Sequence, residues 1–168
     1  MEFAPVGSAQ FSEADLAKCI INDVQEVFST MVGIDDLLNL PLVINPVTRL
    51  ENCVTAMVGL AGSYNGVVCL HAPECLALNF TSGMLGMEVN KVDDEVHDAL
   101  GEIVNMIAGS IKHQLSRGGT DIRLSIPSVI TGKDYFFSVG KPDDMLMLGF
   151  ATNQKWFMVS TALKKAMA

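Results

Sequence analysis

From Val96 to Leu115 the chain reads as one amphipathic helix, and its two faces constrain the rest of the molecule more than any other segment. At roughly 100° per residue, Leu100, Ile103, Val104, Ile107 and Ile111 cluster on one side as a core-facing stripe. Asp98, Glu102, Asn105, Gly109 and Lys112 fall on the opposite side, because residues three and four apart are surface neighbours. Two carboxylates and a carboxamide therefore line up on the wet face, with a glycine one turn beyond. Glycine inside a helix costs about 1 kcal/mol against alanine. A bare patch beside acids and an amide is what close approach of another molecule requires. The competing explanation is that the polar face does nothing but solvate the helix, as most such faces do. It implies that changing Glu102 and Asn105 together alters no interaction.

Charge and composition narrow the classes of function. Hydrophobic residues make up 49% of 168, enough for one globular unit with a sizeable core. A net charge of −8 and a pI near 4.7 argue against a nucleic-acid partner, whose phosphates attract basic surfaces. An acidic surface instead suits a partner with an exposed basic site. The opening residues carry no basic, long apolar signal segment, and no stretch reaches the ~20 apolar residues of a membrane span. A cytoplasmic protein is expected.

The usual motifs of hydrolases and nucleotide-binding proteins are missing: no G-x-S-x-G, Walker loop, G-x-G-x-x-G or H-E-x-x-H occurs. Cys19, Cys53, Cys69 and Cys75 form no C-x-x-C pair and read as small hydrophobes in a reducing compartment. His71 and Cys75 are four apart, but Pro73 intervenes and no second ligand pair follows, so no metal site is expected. His97 falls toward the apolar side of the long helix and is expected to pack there. His113 is expected to be solvated near the helix C-terminus.

Along the chain, residues 1–11 read as a loose leader and 12–163 as a single domain. Ser12 caps a helix running to about Met31, which Gly33 ends. The segment Gly33–Leu40 reads as a loop richer in apolar residues than a free loop needs. Strands are predicted at Leu42–Val47, Cys53–Leu60 and Val67–His71, the last two joined through a hairpin loop, Gly62–Gly66. A short helix from Pro73 to Leu85 precedes the long one, which Arg117-Gly118-Gly119 closes. Strands at Arg123–Ile130, Tyr135–Val139, Met145–Ala151 and Trp156–Thr161 follow, the last pair turned at Thr152–Lys155. The order suggests two related halves, 12–71 and 95–161. The fold class expected is α+β: two long helices and a short one on a mostly antiparallel sheet.

The segment GEIVNMIAGSIK, residues 101–112, resembles the signature helix of the CheC/CheX/FliY phosphatases of bacterial chemotaxis. In that family an acidic residue or serine, a glutamate and an asparagine recur at this spacing, with glycine one turn beyond. The positions that match are Asp98, Gly101, Glu102, Asn105 and Gly109. The first helix, in the same frame, offers Asn22, Glu26 and Ser29, which keeps the glutamate but lacks the carboxamide. One complete motif and one degenerate counterpart resemble the CheX branch. The resemblance implies a pseudo-two-fold fold and dephosphorylation of the phospho-aspartate of a CheY-like response regulator.

A phospho-aspartate is already activated, so the catalyst need only place a water in line and accommodate spreading charge. A carboxamide both donates and accepts hydrogen bonds and stays neutral, which suits Asn105 to orient that water. Glu102 is expected to dock on the regulator's lysine, with Asp98 and Gly109 contributing partner contact. The protein would need no cofactor of its own, Mg²⁺ being held by the regulator. A non-catalytic response-regulator-binding or switch-complex module of the same fold is the alternative. The family resemblance and the expected free strand edges also imply a homodimer through β-edge pairing.

Overall fold

The computed structural model describes residues 12–41, 49–116, 118–141 and 144–167. The expected leader, the strand at Leu42–Val47 and Arg117 lie outside the described residues. Helix α1 spans Glu13–Val27 and is opened by Ser12, whose side chain accepts from the Asp15 N–H while Asp15 reaches back to Ser12. This reciprocal pair satisfies two otherwise orphaned donors. The helix continues as a π-turn, Phe28–Val32, and stops at Gly33, which takes the left-handed conformation (φ 78°) that favours glycine. Strand β1 is Leu38–Leu40, β2 Arg49–Gly62 and β3 Tyr64–Pro73. Helices α2 (Glu74–Leu85) and α3 (Asp94–Leu115) follow. The chain ends with β4 (Ile122–Leu124), β5 (Ser128–Phe136), β6 (Met145–Thr152) and β7 (Lys155–Lys165).

All seven strands join one antiparallel sheet in the order β1-β6-β7-β3-β2-β4, with β5 also on β2. That order is symmetric about the β7–β3 pair. Each half contributes its hairpin (β2–β3 or β6–β7) and lends a strand to the other: β1 pairs β6, while β4 and β5 pair β2. The two halves anticipated from element order are thus interlocked rather than side by side.

Three expectations need correction. The predicted strand Arg123–Ile130 is two, broken at Ile126-Pro127, since proline has no N–H to offer a ladder. Tyr135–Val139 is not a separate strand. Residues 131–134, which lay between the two predicted strands, continue β5, and Arg49 closes on Asp134 across the β2–β5 pair through two hydrogen bonds of 3.0 and 2.9 Å. The loop Gly33–Leu40 contains β1, and its Leu37 is buried. In addition, the predicted hairpin loop is nearly all strand, with Ser63 alone between β2 and β3.

The helices cover one face of the sheet. α3 packs on β2 and β3 and touches both other helices. Its stripe of Leu100, Ile103, Val104, Ile107 and Ile111 is fully buried, as its periodicity required. Phe28, Phe80, Phe150 and Phe157 meet with ring centroids 4.8–5.4 Å apart, tying the π-turn and α2 to the hairpin β6–β7. The opposite face has a smaller apolar cluster of Leu50, Cys53, Cys69, Phe137, Met147 and Met158. Asn52, at φ 44°, interrupts the alternation of β2, so that Leu50 and Cys53 both join that cluster.

A buried polar chain crosses this second face. Thr55 Oγ1 lies 2.9 Å from His71 Nδ1 and 2.7 Å from the Tyr135 hydroxyl, and His71 Nε2 lies 2.9 Å from Ser160 Oγ. His71 is therefore a stitch between β2, β3, β5 and β7. Burial holds its pKa down to about 4, so the ring is neutral.

Candidate functional site

Asp93 opens α3 as its N-cap, its side chain accepting from the Glu95 N–H, and Asp94 and Glu95 place negative charge in the first turn. Lys112 and His113 sit in the last turn, and Ser116 closes the helix. Between these caps the core stripe sets the helix rotation, and the predicted polar residues are left outward. Asp98 and Glu102 are exposed, and Asn105 and Gly109 are half-buried. Residues 98, 102, 105 and 109 form one line along the helix, each about 5–6 Å further on. Among the described residues, the side chains of Asp98, Glu102 and Asn105 make no hydrogen bond or ion pair. They are free to receive a partner.

Asp98 and Glu102 form a ridge between two grooves. One, of about 470 Å³, is lined by His97, Asp98, Gly101, Glu102, Pro127 and Val129. The other, of about 300 Å³, is lined by Met84, Leu85, Glu95, Asp98, Ala99 and Glu102. The first groove depends on Gly101: a Cβ there would lie 3.3 Å from Pro127 Cβ. The bare flank of α3 lets the connection between β4 and β5 sit against the helix beside Glu102. Gly109 differs, since a Cβ there would meet nothing within 4 Å. It is not needed for internal packing, which leaves its clearance toward the outside.

His97 does not pack on the apolar side as expected. It is half-buried on the wall of the first groove, its Nε2 2.9 Å from Thr131 Oγ1 on β5. His113 is exposed, as expected, while Cys53 and Cys69 are buried and Cys19 and Cys75 half-buried, all as free thiols. Burial pushes the Cys69 thiol up to about 12, which makes it inert as a nucleophile. No group of three or more His, Cys, Asp or Glu among the described residues could hold a metal ion. No helix among them is long and apolar enough to cross a membrane.

The degenerate counterpart on α1 is closed off by its own geometry. Asn22 and Glu26 are exposed, but Ser29 lies in the π-turn and donates to Asp35 Oδ1 at 2.5 Å. Beside it, Asp23 accepts from Gln114 Nε2 of α3 at 2.7 Å. Burial, and then the charge of Glu26, raise Asp23 to about 6.

Sequence reasoning missed the groove walls, because Pro127, Val129, Met84 and Leu85 reach the ridge only through tertiary packing. A local signal that could have pointed to them is Gly101, a helix-interior glycine whose absent side chain admits Pro127.

Comparison with known proteins places this arrangement in a family. Residues 54–151, more than half of the chain, match the family described as chemotaxis phosphatase CheX, and that span includes α3 with its whole polar line. The CheY-P phosphatase CheX of Thermotoga maritima is 28% identical over 123 residues, covering 73% of this chain and 79% of the relative. The crystal structure of a chemotaxis protein CheX from Desulfovibrio desulfuricans is 28% identical, with a TM-score of 0.77 over 89% of this chain and 99% of the other. A CheX–CheY–BeF3–Mg²⁺ complex from Borrelia burgdorferi shares the fold at 22% identity, with a TM-score of 0.70 over 90% of this chain and 99% of the other. With residues 54–151 matching the family and its helices packed on one antiparallel sheet, the chain belongs to the CheX family of chemotaxis phosphatases.

Proposed function

We propose that this protein removes the phosphoryl group from the phospho-aspartate of a CheY-like response regulator. The observation that carries the reading is the pair Glu102 and Asn105, without a hydrogen bond or ion pair among the described residues: Glu102 stands on the ridge between the two grooves and Asn105 follows it along the same line of α3. The names of two relatives support it: one is a CheY-P phosphatase, and another was crystallised with CheY, BeF3 and Mg²⁺.

Glu102 meets the lysine beside the regulator's aspartate and docks the helix over the phosphoryl group. Asn105, a turn further on, holds a water in line with phosphorus, its carbonyl oxygen accepting from the water. The water's oxygen bonds to phosphorus as the bond to the aspartate oxygen breaks. Inorganic phosphate leaves and the aspartate carboxylate is restored. Mg²⁺, held by the regulator's acidic pocket, draws charge from the phosphoryl oxygens, so no cofactor of this protein's own enters. Asp98 and Gly109 provide contact and clearance. We infer the cytoplasm as its compartment, where such a regulator works.

We also infer a homodimer: among the described residues β1, three residues long, pairs only with β6, so its other edge is offered to a second copy. Light scattering at micromolar concentration tests it, a mass near twice the 18.1 kDa of the chain supporting the dimer.

The catalytic test is phosphate release from a phosphorylated CheY-like regulator with Mg²⁺. Asn105→Ala is expected to lose roughly 10² or more of the acceleration, the scale of a lost positioning contribution, and to fold normally. Near-normal turnover by this variant would reject Asn105 as the water-orienting group. Glu102→Gln is expected to weaken docking.

A further inference from the structure

Eight large apolar side chains are exposed among the described residues; of these Leu85 lines the second groove beside the acidic ridge of α3, while Met87 and Ile126 lie next in the chain to groove-lining segments, Ile126 preceding Pro127 and Met87 following Leu85 past Gly86. Scattered exposed apolar residues need no explanation, but several around one polar site mark a contact surface. Ile126 is 85% exposed, next to Pro127 at the rim of the first groove. Leu85 lines the second groove, and Met87 follows it past the Gly86 cap, 58% exposed.

The backbone at Ile126 is anchored on both sides. On one side, Ser125 N donates to Gly59 O at 2.9 Å, Gly59 N to Ser125 Oγ at 2.9 Å, and Ser125 Oγ to Ile126 O at 2.9 Å. On the other, Pro127 rests against α3 at Gly101. Fixing a bare isoleucine between a hydrogen-bonded residue and a proline lowers the entropy lost when a partner covers it. The ridge between these shoulders carries Glu95, Asp98 and Glu102, none of them in an ion pair among the described residues, and the facing grooves add only His97 as a cationisable group.

We infer that Ile126 on one side and Leu85 with Met87 on the other are two apolar shoulders that grip the regulator around its phosphorylation site. They set affinity and partner choice, while Glu102 and Asn105 carry the chemistry. The occupant is the phosphorylated receiver domain, whose matching surface must present a cation flanked by apolar side chains. This inference rests on the phosphatase reading and names the surface through which that reading operates.

The test uses the full chain and a CheY-type receiver from the same organism, loaded with beryllofluoride and Mg²⁺ for binding and phosphorylated for turnover. Ile126→Ser, and Leu85→Ser with Met87→Ser, are expected to raise Kd and KM by about tenfold or more, as burial of an aliphatic side chain implies. Their kcat at saturation should stay near wild type and their unfolding be unchanged, because all three side chains are exposed. Asn105→Ala should show the converse, with normal Kd and lost kcat. Shoulder variants that bind within twofold of wild type would overturn the inference while leaving the phosphatase reading intact. A wild type that neither binds nor dephosphorylates the receiver would overturn both.

Discussion

The ring of Pro127 occupies the space where a side chain at position 101 would begin, 3.3 Å from Pro127 Cβ to an added Cβ. The contact fixes the β4–β5 connection against the one helix that carries the candidate chemistry. Gly101→Val would drive γ-carbons into the proline, and overpacking of this kind costs about 1–3 kcal/mol. Urea unfolding should register that loss, and phosphate release should fall as the first groove distorts. A Gly101→Val protein with wild-type stability and activity would show that the contact positions nothing.

Gly109 tests the opposite case. An added Cβ has open space, so Gly109→Ala should gain about 1 kcal/mol from helix propensity alone. Gly109→Leu should also fold normally, since an added Cβ meets nothing, but should bind a beryllofluoride-loaded receiver more weakly, because its side chain projects along the line of Glu102 and Asn105. Equal binding by the leucine variant would remove clearance as the reason for this glycine.

The Asp23–Gln114 contact between α1 and α3 should respond to removal of charge. Gln114 Oε1 is buried and has no hydrogen-bond partner, while Asp23 as a carboxylate can only accept. Asp23→Asn supplies a donor for that oxygen, a change worth about 1 kcal/mol. The sign with pH follows from the raised value. The native state binds the Asp23 proton more tightly (about 6) than the unfolded chain (3.8), so stability falls as pH rises through that range. The gain in thermal stability should therefore be larger at pH 7.5 than at pH 5. No gain at pH 7.5 would contradict the pairing.

His71 imposes the reverse dependence. Its pKa is about 4 in the native state against 6.5 in the unfolded chain, so its contribution is complete above pH 6.5 and is lost as pH falls toward 4. In an Asp23→Asn background, where the opposing titration is gone, unfolding free energy should drop by about 1.4 kcal/mol per pH unit across this window. His71→Gln should flatten that slope. An equally steep slope in the glutamine variant would assign the acid sensitivity elsewhere.

The polar line of the site was legible because its cause is local. Once Leu100, Ile103, Val104, Ile107 and Ile111 must face a core, helical geometry sends Asp98, Glu102, Asn105 and Gly109 outward whatever the rest of the chain does. The Ser12 cap, the stop at Gly33 and the two-residue turn at Asn153-Gln154, both with positive φ, were legible for the same reason. The strands of the second half were read less well. Whether Thr131–Asp134 turns or continues as β5 depends on β2 lying alongside, and Pro127 breaks a run that is otherwise strand-like.

Sequence alone thus determined which groups α3 presents, since periodicity and capping act within a few residues. Only the tertiary structure decided what surrounds them. The interlocked sheet brings Pro127 and Val129 to one side of Glu102, and α2 brings Leu85 to the other, across separations in the chain that no local pattern encodes. It likewise gave His71, for which no metal site was expected, a role no local pattern showed, as a neutral stitch across four strands. Its partners Thr55, Tyr135 and Ser160 become neighbours only when those strands pair.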